Sequence, residues 1–180
     1  MANYKSLIPF ILYWEGGYQK DPNDLSGTDT NKGITYTTWK SVFGDTHDRF
    51  MKMVPEDWET IFKNKYWDLM CGDKINYQSI VNLCVDWCWA SGRHYPSIDI
   101  QDILIHAFGN HITEDGQFGP ATVAAINGDD EQRLLSTIIE KRMWYCDQVV
   151  LAHPSQQKFI KGWKNRINSL VNFNKTGKIK

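Results

Sequence analysis

Apolar residues recur along this chain at helical rather than strand spacing. Leu7, Phe10, Ile11 and Trp14 fall at i, i+3, i+4 and i+7, which predicts an amphipathic helix. Pro9 fits that helix with Ser6 as its cap, because a first-turn residue has no intrahelical N–H partner to lose. Gly16-Gly17 ends it. From Asp21 to Thr38 the chain is rich in Asp, Asn, Gly and Thr and poor in aliphatics, predicting a loop or short irregular hairpin. Helical spacing resumes at Trp58, Ile61, Phe62 and Tyr66, at Ile80, Leu83, Cys84 and Trp87, and at Ile100, Ile103, Leu104, Ala107 and Phe108, each pattern read as one buried face. Pro120 after Gly119 opens a further helix, and Leu135, Ile138, Ile139, Cys146 and Val149 share related faces between Asp129 and Leu151. Pro154 breaks the chain. Phe159, Ile160, Trp163, Ile167 and Leu170 then align a last helix over 155–172, with a frayed basic tail from Lys175. The expected fold class is mainly α. A front lobe, residues 1–75, carries the polar loop or short hairpin; an all-helical back lobe covers 76–173, with the tail at 174–180 and a soft division near Asn76.

Composition narrows the function. A chain of 180 residues suits one domain or one domain of two lobes. Its 20 basic and 21 acidic residues leave a net charge of −1, so bulk attraction to nucleic acid is not expected. No run approaches the roughly 18 apolar residues of a membrane span. Met1 to Phe10 lacks a signal h-region and cleavage site, so the chain is expected to be cytoplasmic when made and to reach an outside target only by export or lysis. Cys71, Cys84, Cys88 and Cys146 match neither a disulfide framework nor paired CxxC zinc ligands. They read as reduced and mostly buried. Cys84 and Cys88 lie one helical turn apart, where packing is the simpler reading than metal ligation; no cofactor or metal is expected. His94, His106, His111 and His153 show no HExxH-like spacing, which argues against a zinc amidase or a cysteine peptidase.

Chemistry concentrates between residues 15 and 36. Glu15 follows the apolar run Phe10 to Trp14 at a helix end, where partial burial and the negative end of the helix dipole favour a retained proton. That is the setting of an acid able to protonate a glycosidic oxygen. Gly16 and Gly17 allow close approach to the backbone. Eight residues lie between Glu15 and Asp24 and five between Asp24 and Thr30, a carboxylate and a hydroxyl suited to holding a water. The simpler alternatives are a solvated carboxylate at Glu15 and ordinary turn formers at Asp21, Asp24 and Asp29. A calcium loop lacks the EF-hand order. Tyr18, Tyr36 and Trp39 flank the loop as candidates for stacking on a sugar, and Thr35 is a competing hydroxyl. Trp87 and Trp89 point to different sides of one helix, so at most one of them faces a cleft.

The run Glu15-Gly16-Gly17-Tyr18, with Asp21-Pro22-Asn23-Asp24 and Thr30-Asn31-Lys32-Gly33-Ile34-Thr35, resembles the family 108 glycosyl hydrolases, N-acetylmuramidases that include phage-type endolysins and so-called secretion activators. The likeness extends through Val85-Asp86-Trp87, Ala90-Ser91-Gly92, Phe159, Gly162-Trp163 and Arg166. It implies a lysozyme-like fold, peptidoglycan glycan strands as substrate, and Glu15 as the catalytic glutamate. The Glu15, Asp24, Thr30 spacing is also similar to that of phage lysozymes, in which the latter two groups place the attacking water. That implies an inverting enzyme, whose carboxyls stand about 6.5–9.5 Å apart rather than the roughly 5–5.5 Å of a retaining one. Where the family often continues Pro-Gly-Gly after this Asp, the chain has Leu25-Ser26-Gly27. A second string, Ile100-Gln101, Leu104 and Asp115-Gly116-Gln117-Phe118-Gly119-Pro120-Ala121-Thr122, is similar to a helical peptidoglycan-binding module, although Asp-Gly and Gly-Pro also serve as plain connectors. A monomer is expected, with an export or holin partner. The alternative on the same scaffold is a catalytically idle peptidoglycan-binding or secretion-accessory protein.

Overall fold

The structure is a computed structural model that describes residues 1–17 and 29–179; Tyr18, Asp21 and Asp24 lie outside the described residues. A 3-10 turn at Tyr4–Ser6 leads into α1, Ile8–Trp14. Ser6 is not the cap. Asn3 accepts from the Lys5 N–H at the turn's entrance and the Ser6 hydroxyl donates back to the Asn3 carbonyl, while Leu7 holds the N-cap of α1 with no side-chain bond. The preceding 3-10 turn thus takes over the capping that a free helix end needs. Leu7, Phe10 and Ile11 are fully buried, and the helix stops at Glu15, whose backbone is extended.

The polar stretch contains a hairpin, β1 (Thr30–Asn31) against β2 (Ile34–Thr35), antiparallel with Thr30 opposite Thr35 and Asn31 opposite Ile34. Both turn residues have positive φ, 48° at Lys32 and 79° at Gly33, the geometry of the tight two-residue turns whose twist matches the strands. Side-chain bonds pin the hairpin to the front lobe: Asn31 Nδ2 to the Phe50 carbonyl (2.8 Å) and the Met51 carbonyl (3.4 Å), Trp58 Nε1 to the Lys32 carbonyl (3.0 Å) and Lys32 Nζ to the Met53 carbonyl (3.4 Å). The stretch does not remain irregular to Thr38. Thr35 caps α2 (Tyr36–Phe43) by accepting from the Thr38 N–H, and α3 (His47–Met51) follows. The apolar stripe Tyr36, Trp39, Phe43 was hidden behind the turn-forming residues that precede it.

α4 (Pro55–Phe62) runs into a π-helical turn at Lys63–Trp67, then 3-10 turns at Asp68–Met70 and Gly72–Lys74. The wider turn buries Trp67 and leaves Tyr66 half-buried. The centre of the molecule is α5 (Gln78–Ser91), packed against the π turn and against α6 (His94–His106), α8 (Glu131–Ala152) and α9 (Ile160–Thr176). It does not bury one face, as its spacing suggests: every residue from Ile80 to Cys88 is buried, Asn82 and Asp86 included. An axial helix wrapped on all sides has no solvent face to show. α7 (Pro120–Gly128) completes the back lobe, and one apolar cluster runs from Leu7 through α5 to Leu170.

Gln101 is buried and organises the 115–122 string: its amide nitrogen donates to Asp115, the Gln117 carbonyl and Thr122, while its oxygen accepts from the Gly116 N–H. Those bonds tie the string to α6. The C-terminus is not frayed from Lys175, because α9 continues to Thr176, closes on left-handed Gly177, and Ile179 packs against the core.

Candidate active site

Glu15 is presented by the end of α1, with its side chain only 18% exposed. Two donors converge on Oε1, Trp89 Nε1 from α5 and Arg166 Nη1 from α9, each at 2.8 Å. Above Oε2 lies the hairpin turn: a Cβ built on Gly33 would stand 2.6 Å from that oxygen and 2.7 Å from Trp89 Cζ2. Residue 33 must be glycine for two separate reasons, its positive φ and this contact. The expected apolar surroundings of Glu15 are thus replaced by an indole N–H and a guanidinium. Their parent residues lie 74 and 151 positions away in sequence, beyond the reach of any local reading.

Each donor is itself held. Trp89 sits among Tyr66, Trp58 and Phe62, with ring centroids 4.5, 5.5 and 5.9 Å away. Burial pushes the Tyr66 phenol up to about 12, with Cys88 and Glu15 adding to the effect and a hydrogen bond with Thr38 opposing it, so the ring carries no charge beside the indole. Arg166 turns its Nε and Nη2 to Asp86 Oδ1 at 3.0 and 2.8 Å, and Arg142 Nη2 reaches Asp86 Oδ2 at 2.6 Å. Glu15, Arg166, Asp86 and Arg142 form a chain of alternating charge in which Asp86 and Arg142 are almost completely buried. Burial pushes the Asp86 carboxyl up, but Arg142 and then Arg166 outweigh it and hold it below the ordinary carboxylate range. For Arg166, burial works against the charge, and Asp86 followed by Glu15 more than restores it.

The other sequence candidates fall in different places. Thr30 is part-buried on β1, in the hairpin whose turn covers Glu15. The Thr35 hydroxyl is engaged as a helix cap and bonds Thr38 Oγ1 at 3.0 Å. Tyr36 donates to Asp45, which pushes its phenol up to about 12, and its ring packs on His47 and Phe50. Trp39 is fully buried, with its indole N–H on Thr46 Oγ1, and presents no face for stacking. Asp24 and Tyr18 lie outside the described residues. Trp87 is inside and Trp89 reaches Glu15, the division expected of two tryptophans two apart on a helix. Trp89 and Arg166 are the partners of Glu15 to which sequence reasoning gave no specific role.

Among the described residues, one set of groups has metal-ligand spacing, Asp102, His106 and Glu114. It shares no residue with the Glu15 network, and Asp102 already accepts from Lys141 at 3.0 Å.

Residues 8–92 match the family model described as glycosyl hydrolase 108, and residues 95–168 match the one described as a predicted peptidoglycan domain. No curated protein matches the chain. Among solved structures, SagA of Brucella abortus is similar at a TM-score of 0.76 and 22% identity, over 94% of this chain and 92% of that one. The fold is accordingly mainly α and lysozyme-like, with a small two-stranded antiparallel sheet.

Proposed function

We propose, because residues 8–92 match the family model described as glycosyl hydrolase 108 and are followed by a match to the one described as a predicted peptidoglycan domain, that this chain is an N-acetylmuramidase. It cleaves the β-1,4 bond between N-acetylmuramic acid and N-acetylglucosamine in peptidoglycan glycan strands. The observation that carries this reading is the Glu15 carboxyl, part-exposed at a helix end and fixed by Trp89 and Arg166 under the Gly33 turn. With both donors on Oε1, the proton available for transfer belongs on Oε2, and delivering it to the glycosidic oxygen breaks the bond to the leaving sugar. Arg166 and Trp89 are positioning residues that fix the rotamer of the acid. Asp24, aided by Thr30, orients a water onto the opposite face of the sugar, which makes the enzyme inverting.

One observation favours a second reading. The ion pair with Arg166 occupies the carboxyl that must carry the proton, as suits an idle peptidoglycan-binding or secretion-accessory protein. Muropeptide release from purified sacculi, comparing the native chain with Glu15→Gln, separates the two. New reducing N-acetylmuramic acid ends from the native chain alone support the muramidase. Binding of sacculi by both proteins with cleavage by neither supports the accessory role.

A further inference from the structure

α8 and α9 each bring one half-buried aromatic ring to a cavity of about 180 Å³ that they line together with α5, Tyr145 from the first and Trp163 from the second. Each of these rings continues into an exposed one. Tyr145 meets Tyr95 of α6 at 5.7 Å between centroids, and Trp163 stacks on Phe159 at 6.2 Å with planes 28° apart. Tyr95 is 56% exposed and Phe159 46%. Single exposed rings are ordinary on a protein surface, but four that adjoin one opening form a patch, and such patches mark binding surfaces. The Tyr145 ring is fixed from behind by a T-shaped contact with buried Trp87 at 5.5 Å and by a hydrogen bond with Ser91. Lys158 Nζ lies 4.9 Å over the Phe159 ring and takes one of its faces, which leaves Tyr95, Tyr145 and Trp163 as the rings best placed to receive a ligand.

The chemistry of the occupant follows. A ring face receives the C–H groups of a neutral molecule, and a phenol at its edge offers a hydroxyl that both donates and accepts. Sugars present the matching pair, a face of C–H groups and a rim of hydroxyls. Lys141 of α8 is matched by Asp99 and Asp102 of α6 at 3.3 and 3.0 Å, and Arg142 by Asp86 at 2.6 Å, so these cations are not free to draw a polyanion. The exposed parts of four rings fall well short of the roughly 800 Å² that each partner contributes to a standard protein interface. Continuity with the site favours a glycan further. Arg166 lines this cavity and bonds Glu15 at 2.8 Å, and Ser91 on the same lining stands two residues from Trp89. A strand held at Glu15 that continues past Ser91 arrives at Tyr145 and then Tyr95. The 5.7 Å between those two rings is close to the length of one sugar in a β-1,4-linked strand.

We infer that Tyr95, Tyr145 and Trp163 form a stacking platform on the back lobe for the glycan strand of peptidoglycan, continuous with the Glu15 site. The inference rests on peptidoglycan being the ligand but not on cleavage of its glycan. The test is calorimetric titration of the full chain with an N-acetylglucosamine hexamer, alongside Tyr95→Ala, Tyr95→Phe and Trp144→Ala. Tyr95 and Trp144 are both exposed, the latter with Lys141 Nζ 4.7 Å over its ring, so thermal midpoints are expected to match the native chain. Tyr95→Ala is expected to weaken binding about fivefold to tenfold by loss of one stacked ring, Tyr95→Phe to stay within about twofold, and Trp144→Ala to bind as the native chain does. The inference is overturned by a hexamer that does not bind at millimolar concentration, by undiminished binding in Tyr95→Ala, or by equal losses in Tyr95→Ala and either of the other variants. Binding of the sugar-free dipeptide alanyl-isoglutamine that depends on Tyr95 to the same degree would instead assign the rings to the peptide arm and overturn it too. Muropeptide release is scored separately. A chain that binds the hexamer through Tyr95 but releases nothing refutes the muramidase reading alone, and one that cuts while Tyr95→Ala binds normally refutes only the platform.

Discussion

Gly33 is the residue on which the site closes. Its replacement by alanine forces a Cβ into Glu15 Oε2 and Trp89 and also imposes a left-handed conformation on a residue that resists it, at about 1–2 kcal/mol for the backbone alone. Gly33→Ala is therefore expected to lower muropeptide release at least about tenfold while the thermal midpoint falls by only a few degrees; unchanged release would show that the turn does not position the acid. Glu15 stands out in the sequence on local features alone: an apolar helix, a carboxyl and two glycines. Its partners do not. The sequence marked Arg166 as part of the family likeness and left open which of Trp87 and Trp89 faces a cleft, but their contact with Glu15 exists only once α5 and α9 are packed. Trp39 shows the opposite error, since a tryptophan beside a polar loop looks like a stacking platform yet here fills the core beneath α2.

At the scale of elements, α5 carries polar groups through the middle of the fold. Asp86 is neutralised there by Arg142 and Arg166. Asp86→Asn leaves the Arg142 cation buried without its counter-charge and is expected to cost about 3–5 kcal/mol, read as a fall of roughly 10 °C in thermal midpoint. Because the folded-state pKa of Asp86 is depressed, its contribution is present above the unfolded carboxylate pKa of about 3.9 and is lost as pH falls through and below it. The acid limb of stability against pH is therefore expected to be shallower in the variant, as urea midpoints at successive pH values would show. The alkaline limb has the opposite sign. Burial pushes the Cys84 and Cys88 thiols from 9.0 up to about 12, so their contribution is complete below pH 9.0 and is lost as pH rises towards 12. Thiol labelling at pH 8 is accordingly expected to spare both until the protein unfolds; rapid modification of either would contradict the packing of α5. The helical periods predicted these elements well, apart from α2 and α3, but could not reveal that α5 is enclosed all round. Periodicity reports a contrast between faces, and a helix with polar residues paired inside shows little contrast.

Across the whole molecule, the two matched segments are not separable modules. The first, residues 8–92, supplies Glu15, Asp86 and Trp89; the second, residues 95–168, supplies Arg142 and Arg166. They also share one apolar cluster. A chain ending at residue 92 exposes the faces of α5 that α8 and α9 cover and strands Asp86 without cations, so it is expected to show no cooperative thermal transition. A sharp transition in such a fragment would mean that the first segment folds alone. The sequence indicated helices and a polar site region, but not that the site straddles both halves.

The bond between Glu15 and Arg166 joins groups 151 residues apart, and that separation sets an order in time. Contacts this distant in sequence form late, after the intervening loop has been closed. Glu15 leaves the ribosome before Arg166 and waits without that partner until the 151 positions between them have followed it. The network around Glu15 is thus completed only once synthesis has passed Arg166, and a message cut short before that residue yields a polypeptide without the guanidinium that holds Glu15.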